Sequence, residues 1–488
     1  MPPPFSLQEA PLSPIIEKTK GGFFLNLLHL WYRAYQCVFG AGARLLPWRW
    51  PETVVGPGSL ARVPSLLTEY GVRRPLVAAS RRQCADPAFR QMLAQLESYV
   101  LFSDIRPNPP ASAVEAAAAL YRREGCDSLV AVGGGSPMDT AKAAAALVAR
   151  PGKTLPQLAG LLKVRRRIPP LIAVPTTAGT GSETTIAALY RAQQCDSFVA
   201  VGGGSPMDAA KAAAALLARP HRTLAQMAGL LKVRRPISPF IAVPTTAGTG
   251  SETTIAAVVT GADHHKYAVS DLCLIPRCAV LDPLLTVSLP PQTTAETGMD
   301  ALTHAVEAYL SRFYPTRETN RLAEEAVVTI FQTLERACAH GEDVDARQAL
   351  LTASYQAGAA FTRASVGNVH AIAHTLGGLY GVGHGLANAV LLPVILRDYG
   401  TAAHRRLSRL AERVGLSGDT EAARANAFID AILAMNARLG IPTGFTCIRE
   451  ADLPRMAAWA AAEANPTYPV PVIYDRGCFI RVIRQVMQ

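Results

Sequence analysis

Residues 367–385, GNVHAIAHTLGGLYGVGHG, place three histidines among glycines and small apolar side chains. His370 and His374 lie four residues apart, so on a helix they share one face. His384 follows ten residues later beside a glycine, where the backbone can turn. Unpartnered polar groups on a face this apolar would be costly, so the stretch predicts a site that uses the imidazoles.

A second segment, TGMDALTHAVEAY, supplies Asp300 and His304 about seventy residues upstream. These two residues have the same four-residue helical spacing. One carboxylate together with imidazoles is a ligand set that suits Fe(II) or Zn(II). The two segments therefore predict one divalent-metal site on a helical scaffold.

The composition is that of a globular protein: 49% of the 488 residues are hydrophobic and 17% are charged. The net charge of +11 is scattered, without a basic tract interleaved with aromatics, so we expect no nucleic-acid partner. The nine cysteines include no CxxC pair. Such a set favours reduced thiols and a cytoplasmic location.

The segment over residues 1–47 is apolar and aromatic. Its longest uncharged run, Gly21 to Tyr32, is shorter than the ~20 residues of a spanning helix, so we expect no stable membrane span. Lys18 and Lys20 precede it as in a signal peptide, but no convincing small-residue cleavage site follows. We predict an amphipathic helix docked on the protein or on a partner subunit, with interfacial membrane contact as the main alternative.

From residue 48 short apolar strands alternate with helices, which indicates a parallel sheet covered by helices. Predicted strands include residues 75–80 and 98–105, and CLIPRCAVLDP provides a last strand after a turn predicted over residues 260–271. Beyond Pro290 helical periodicity dominates. The clearest helices are predicted over residues 318–340, 346–365 and 422–440, the last ending at Gly440.

The chain repeats itself within the α/β part. Residues 121–189 and 190–258 align without gaps at an offset of 69 residues, and fourteen positions differ. Two copies are too few for a solenoid, and each copy is only a fragment of a domain. A genuine duplication and a chimera of two related genes are equally compatible with the sequence.

Each copy carries GGGSPMD between a strand and a helix, beginning at Gly133 and at Gly202. Backbone N–H groups in such a turn, with a helix N-terminus behind them, suit a pyrophosphate, although the G-x-G-x-x-G pattern is absent. PTTAGTGSE follows a second strand at Pro175 and at Pro244, and its hydroxyls suit ribose and phosphate oxygens. The α/β part therefore predicts dinucleotide binding.

The motifs GGGSPMD, IAVPTTAGTGSE, GMDALTHAVEAY and HAIAHTLGG-x5-HG, in this order, resemble the iron-containing (group III) alcohol dehydrogenases. The resemblance covers about residues 48 to 488. It implies the dehydroquinate synthase-like fold: an α/β N-terminal dinucleotide-binding domain and an all-α C-terminal metal-binding domain. We accordingly expect an N-terminal helical extension (1–47), an NAD(P)-binding domain (48–290) and a helical metal-binding domain (291–488).

The resemblance also assigns roles to residues that match the family motifs. The metal ligands would be Asp300, His304, His370 and His384, whereas His374 would lie near the nicotinamide and the proton path without being a ligand. The pyrophosphate loop would be Gly134, Gly135 and Ser136, or Gly203, Gly204 and Ser205 in the second copy. Thr245, Thr246 and Lys266 match further cofactor-binding positions.

Only the second PTTAGTGSE continues into the metal-binding region, so we take Thr245, Thr246 and Ser251 as the working copy of that loop. Which glycine loop works stays open. A fold that combined the loop at Gly133 with Thr245 would have to extrude about 69 residues and expose apolar strand.

One position departs from the family pattern. Many members carry an aspartate at the end of the second strand, where this chain has Ser80 followed by Arg81 and Arg82. An aspartate repels a 2′-phosphate, whereas serine with arginine can bind one. We predict that NADP is accepted as well as NAD.

Together these observations predict a metal-dependent NAD(P) alcohol dehydrogenase or aldehyde reductase, which transfers hydride between the nicotinamide and a small alcohol or aldehyde. The metal, Fe(II) or alternatively Zn(II), would act as a Lewis acid. A polyol dehydrogenase, a maleylacetate-type reductase, and a binding protein impaired by the duplication are the alternatives. A homo-oligomer, dimeric or larger, is expected.

Overall fold

The computed structural model describes residues 21–70, 75–78, 87–102, 129–132, 171–174, 195–260 and 266–488. The strands are β1 (Glu52–Val55), β2 (Pro75–Ala78), β3 (Val100–Phe102), β4 (Leu129–Val132), β5 (Leu171–Val174), β6 (Ser197–Gly202), β7 (Gly229–Leu230), β8 (Phe240–Pro244), β9 (Ala256–Thr260), β10 (Lys266–Ser270) and β11 (Cys278–Leu281). The N-terminal helices are α1 (Gly21–Ala43), α2 (Val63–Glu69), α3 (Pro87–Ala94), α4 (Gly204–Ala218) and α5 (Leu224–Met227). The C-terminal helices are α6 (Pro291–Leu310), α7 (Arg317–Ala339), α8 (Val344–Ala364), α9 (Asn368–Tyr380), α10 (His384–Tyr399), α11 (Thr401–Arg413), α12 (Glu421–Arg438), α13 (Leu453–Ala464) and α14 (Arg476–Gln485).

The main sheet has the strand order β1-β11-β8-β6-β2-β3, and every neighbouring pair is parallel. Its central strands β6 and β8 are buried along their whole length, as expected for a parallel sheet covered on both faces. Side chains alternate between the faces: Phe198 and Ala200 pack with α4, whereas Val199 and Val201 pack with α2 and α3. The predicted α/β architecture is confirmed.

The two sequence copies occupy different sheets. Strands β6 and β8, from the second copy, pair in the register Phe198↔Phe240 at the centre of the main sheet. Strands β4 and β5, from the first copy, pair in the equivalent register, Leu129↔Leu171, but form a separate two-stranded sheet. Each copy thus forms the same internal strand pair, and the second copy supplies the two central strands of the main sheet.

The predicted turn over residues 260–271 is wrong for its second half. Residues 266–270 form β10, which pairs antiparallel with β9 in the register Tyr267↔Val259 and parallel with β7. The segment KYAVS alternates side chains with period two and contains aromatic and β-branched residues, which favour strands. The polar run DHHK before it obscured this pattern.

The helices predicted in the C-terminal region are confirmed as α7, α8 and α12. Their ends follow local chemistry: the side chains of Thr316, Asp343 and Thr420 cap the first turns of these three helices. Helix α6 lies at the centre, and residues 298–310 of it are buried throughout. Gly298 permits this because a Cβ there would lie 2.3 Å from Leu334 Cδ1 on α7.

Helix α1 docks on the C-terminal part of the same chain. Arg33 donates to the carbonyl oxygens of Val470 at 2.7 Å and Pro471 at 2.9 Å. Gln36, which is buried, donates to the carbonyl oxygens of Pro466 and Tyr468. The predicted docking on the protein itself is confirmed. Within the described ranges, every helix falls short of what a membrane span requires in length or apolar character.

Candidate metal centre and cofactor cleft

Four predicted ligands converge at the centre of the helical region. Asp300 and His304 come from α6, His370 from α9, and His384 from the first residue of α10. One ligand atom from each lies within 4.8 Å of the others. From Asp300 Oδ1, the distances to Nε2 of His304, His370 and His384 are 4.0, 3.9 and 3.6 Å.

This spacing fits a single divalent ion. Bonds of about 2.1 Å in tetrahedral geometry separate donor atoms by about 3.4 Å, close to the observed distances before any ion draws the ligands inward. The donor set of one carboxylate and three imidazoles suits a borderline metal such as Fe(II) or Zn(II). Asp300, His304 and His370 are buried and His384 is partly exposed, so the centre opens to solvent on one side.

Two of the imidazoles are oriented by acceptors on their outer nitrogens. His304 Nδ1 lies 3.2 Å from the Gly248 carbonyl oxygen, and His370 Nδ1 lies 2.6 Å from Glu307 Oε2. A proton on each Nδ1 leaves the Nε2 lone pair directed at the centre. Burial lowers the pKa of His304 to about 4 and that of His370 to about 3, so both rings are neutral and able to ligate at neutral pH.

Asn388 is a member of this cluster that the sequence analysis missed. Its Nδ2 donates to Asp300 Oδ1 at 2.6 Å and lies 3.1 Å and 3.2 Å from Nε2 of His370 and His384. Burial raises the pKa of Asp300, and the Asn388 hydrogen bond is among the interactions that oppose this rise. The signal was present in HGLAN, because His384 and Asn388 are four apart on one helix.

His374 lies beside the ligands but outside the converging set. Its ring stacks on that of His384 with 5.2 Å between centroids, and its Nδ1 lies 2.7 Å from Glu463 Oε1. The Tyr468 hydroxyl donates to the same carboxylate oxygen at 2.6 Å. Burial alone would raise the pKa of Glu463, but His374 and the two hydrogen bonds outweigh burial and lower it. An ionised Glu463, also missed from the sequence, therefore fixes the orientation of His374.

The second-copy glycine loop (residues 202–205) lies between β6 and α4, at the carboxyl end of the main sheet. It contacts the hydroxyl loop (residues 244–251), where Thr245 N donates to the Gly202 carbonyl at 3.1 Å. A Cβ on Gly203 would lie 3.3 Å from Thr246 Oγ1. That buried hydroxyl has no protein partner among the described residues, so it remains available for a ligand.

Behind these loops, Lys211 of α4 holds the hydroxyl loop in place. Its ammonium donates to Thr254 Oγ1 at 2.7 Å and to the Thr254 carbonyl at 2.9 Å, and it lies 3.3 Å from Ser251 Oγ. Ser251 Oγ in turn donates to Asp208 Oδ1 at 2.8 Å. The hydroxyl of Ser251 is thus engaged by the protein. Sequence reasoning did not identify Lys211, although its four-residue spacing from Met207 places it on the buried face of α4.

The hydroxyl loop also packs directly on α6. A Cβ on Gly248 would lie 2.6 Å from Thr297 Cβ and 2.7 Å from the Thr297 carbonyl oxygen. Because the Gly248 carbonyl also meets His304, one loop residue touches both the helix backbone and a metal-ligand candidate. The loop and the metal centre are therefore built as one unit.

Several predicted positions lie beyond what the structure describes. Ser80, Gly134, Gly135 and Ser136 are outside the described residues. Lys266 begins β10, and Ser205 lies in the first turn of α4.

Comparisons with known proteins agree with this architecture. The family model "Iron-containing alcohol dehydrogenase" matches residues 51–189 and 184–283, and "Fe-containing alcohol dehydrogenase family, C-terminal" matches residues 294–476. The NAD-dependent methanol dehydrogenase of Bacillus methanolicus is 39% identical over 287 residues, which cover 57% of this chain and 75% of the relative. The 1,3-propanediol dehydrogenase of Klebsiella pneumoniae is 40% identical over 283 residues, covering 57% and 73%.

Solved structures match over most of the chain. The crystal structure of 1,3-propanediol oxidoreductase superposes with a TM-score of 0.69 at 29% identity, covering 91% of this chain and 100% of that one. An alcohol dehydrogenase from Oenococcus oeni gives a TM-score of 0.69 at 26% identity, covering 90% and 99%. This chain therefore belongs to the iron-containing alcohol dehydrogenase family, and it is an oxidoreductase of the alcohol dehydrogenase and aldehyde reductase type.

Proposed function

We propose that the protein transfers hydride between a nicotinamide cofactor and a small alcohol or aldehyde at a centre formed by Asp300, His304, His370 and His384. The observation that carries the proposal is the convergence of these four ligand atoms within 4.8 Å. Iron, the metal of the family's name, is the proposed ion. When bound, it would supply Lewis-acid polarisation of the substrate oxygen.

The chain's own residues would bind the cofactor at the two loops that meet beside α4. The N–H groups of Gly203 and Gly204, at the start of a 15-residue helix, suit the pyrophosphate. Thr245 and Thr246 lie next to them. The Thr246 hydroxyl is buried and has no hydrogen-bond partner among the described residues, which supports a hydrogen bond from Thr246 to the cofactor. The second copy is thus the proposed binding copy, and Lys266 is proposed to contribute from β10.

His374 is proposed to hold and move the substrate proton. Glu463 accepts from His374 Nδ1, which leaves the Nε2 lone pair able to take a proton when an alcohol is oxidised. In aldehyde reduction the same nitrogen would return it. Stacking of His374 on His384 supports a role for this base beside the proposed ligands and outside their set.

The cofactor preference is a separate proposal. A relative is named NAD-dependent, whereas Ser80 with Arg81 and Arg82 in this sequence favours acceptance of a 2′-phosphate. We propose that NADP is accepted at least as readily as NAD. The ratio of kcat/KM for NADPH and NADH tests this, and a clear preference for NADH would contradict it.

The proposed function is tested on the purified full chain by metal analysis and by NAD(P)H absorbance with a panel of alcohols and aldehydes. We expect one metal ion per chain and turnover, both lost in His384→Ala. The matched control is His404→Ala, a histidine of α11 outside the cluster. Full activity in His384→Ala would refute the proposed centre.

Two alternatives are separated by the same measurements. Preference for a polyol or for maleylacetate over simple alcohols would favour a polyol dehydrogenase or a maleylacetate-type reductase of the same superfamily. Metal bound at the centre without turnover would favour a binding protein impaired by the duplication. Deleting residues 121–189, the copy whose two described strands lie outside the main sheet, should then restore turnover.

The remaining parts of the proposal concern organisation. We propose a cofactor domain over residues 48–290, a metal domain over residues 291–488 and a homo-oligomer, dimeric or larger. None of the described cysteines forms a disulfide, which supports a reducing, cytoplasmic compartment. Light scattering of the purified protein tests the oligomer, and a monomer at micromolar concentration would contradict it.

A further inference from the structure

Glu307 extends the ligand stripe of α6 without reaching the metal centre. Asp300, His304 and Glu307 occur at spacings of four and three residues, so they lie on one face of the helix. All three are buried. Asp300 and His304 face the centre, whereas Glu307 meets the N-terminus of α9, the helix that carries His370.

Both carboxylate oxygens of Glu307 are used by that helix end. Oε1 accepts from Val369 N at 2.8 Å, and Oε2 accepts from Gly367 N at 2.8 Å. These N–H groups belong to the first turn of α9 and its cap, where helices lack internal acceptors. Gly367 is required by the contact, because a Cβ there would lie 2.7 Å from Glu307 Oε1.

The same carboxylate reaches a ligand candidate. Glu307 Oε2 lies 2.6 Å from His370 Nδ1. If His370 ligates through Nε2, its proton resides on Nδ1 and is donated to Glu307. The corresponding acceptor for His304 is the Gly248 backbone carbonyl, so His370 is the imidazole of this pair that is held by a carboxyl side chain.

Three N–H groups converge on the two oxygens of Glu307: Gly367 N and His370 Nδ1 on Oε2, and Val369 N on Oε1. Burial raises the pKa of Glu307 to about 8, and the hydrogen bonds from the start of α9 oppose this rise. Docking of α9 and orientation of His370 therefore use the same carboxyl group.

We propose that Glu307 is a positioning residue of the metal centre: it fixes the proton of His370 on Nδ1 and docks α9 on α6. This inference rests on the proposed function, since it assumes that the four converging residues bind a metal. In this role Glu307 does not contact the substrate or the cofactor.

The test is metal binding by the full chain after removal of metal with a chelator. Zn(II) and Co(II) affinities are measured by competition with a chromophoric chelator, and the Co(II) absorption spectrum reports ligand geometry. Glu307→Gln has nearly the same shape, but an amide has a single acceptor oxygen, so it cannot accept from Val369 N at one position and from Gly367 N and His370 Nδ1 at the other. We expect about 10- to 100-fold weaker binding, the range found when outer partners of ligating histidines are removed, with a changed Co(II) spectrum.

The matched control is Glu335→Gln, an exposed glutamate of α7 that pairs with Arg438. It should bind metal with the parent affinity. The variants Glu307→Gln, His370→Ala and their combination form a cycle: if Glu307 acts through His370, its substitution costs less affinity once His370 is absent. A changed Co(II) spectrum and this non-additivity are effects that a merely structural role would not produce.

The outcomes separate the two proposals. If the parent binds no metal, or if His384→Ala binds as tightly as the parent, the metal centre itself is refuted. If the parent binds at the centre and Glu307→Gln binds equally tightly with the parent Co(II) spectrum, the inference about Glu307 is overturned. Should Glu307→Gln fail to fold, Glu307→Asp keeps the carboxyl group but shortens the reach to His370, and parent affinity in that variant would equally overturn the inference.

Discussion

Substituting Gly248 by alanine should uncouple the hydroxyl loop from the metal centre. The added Cβ would lie 2.6 Å from Thr297 Cβ, 2.7 Å from the Thr297 carbonyl oxygen and 2.9 Å from Thr297 Cα. Favourable separations between carbon atoms are about 3.5–4.0 Å. Two of these three atoms belong to the backbone of α6, so no rotamer change relieves the overlap, and the loop must retreat by about 1 Å.

A retreat of this size has two consequences. Overpacking of this kind costs about 1–3 kcal/mol of the free energy of unfolding. The same shift stretches the 3.2 Å contact between the Gly248 carbonyl and His304 Nδ1 beyond hydrogen-bonding distance. A misplacement of about 1 Å between reacting groups lowers rates by about 10²-fold, so we expect Gly248→Ala to lower kcat by about that factor.

The assay combines steady-state kinetics with metal affinity and thermal unfolding of the purified variant. Gly42→Ala serves as the matched control, since a Cβ at Gly42 in α1 would meet no atom within 4 Å. We expect the control to keep the parent kcat. A Gly248→Ala protein with parent kcat, metal affinity and melting temperature would show that the loop does not need its close approach to α6.

Three further perturbations probe groups around the centre. Asn388→Leu removes the 2.6 Å hydrogen bond to Asp300 and should weaken Zn(II) binding about tenfold; an unchanged dissociation constant in chelator competition would contradict the role given to Asn388. Glu463→Gln replaces the acceptor that orients the proposed proton-handling histidine, and it should lower kcat about 10²-fold with little change in KM. Parent kcat in that variant would remove the carboxylate from the proposal. Burial lowers the pKa of His304 to about 4 and of His370 to about 3, so between pH 6.5 and these values the unfolded chain binds more protons at the two rings, and their contribution to stability is lost as the pH falls. Burial raises the pKa of Glu252 to about 7 and of Glu307 to about 8, which acts with the opposite sign. The contribution of the rings is therefore the difference in melting temperature between the metal-free parent and a His304→Gln/His370→Gln double variant from pH 7 to pH 4, and a difference that does not change with pH would refute the assignment of both rings as neutral.

The fold could be predicted from sequence wherever one local pattern decided it. Helices α7, α8 and α12 follow from helical periodicity and end near Gly or capping residues, and the structure confirms them. The local pattern missed the strand in residues 266–270 for two reasons. The polar run before it is typical of a turn, and its pairing with β9 is a contact that a local pattern does not show. The choice between the two glycine loops was undecidable from the sequence, since both copies have the apolar strands that a central sheet position requires.

The candidate site was likewise predictable from the sequence only in part. Asp300, His304, His370 and His384 are visible in the sequence because histidine and aspartate at helical spacing on apolar faces stand out against their neighbours. The groups that orient them do not stand out. Glu307 and Asn388 are single polar residues of common type, and Glu463 lies 89 residues from the histidine that it contacts.

The sequence by itself determined the chemistry of the centre, the helices that carry it and the family, because ligand type and helical spacing are local properties of the chain. Only the tertiary structure decided which imidazole nitrogens face inward, which groups orient the candidate ligands, and that the second copy's glycine loop lies at the centre of the main sheet. These depend on contacts between residues far apart in the chain, whose geometry follows from packing around buried helix α6 and not from any local preference.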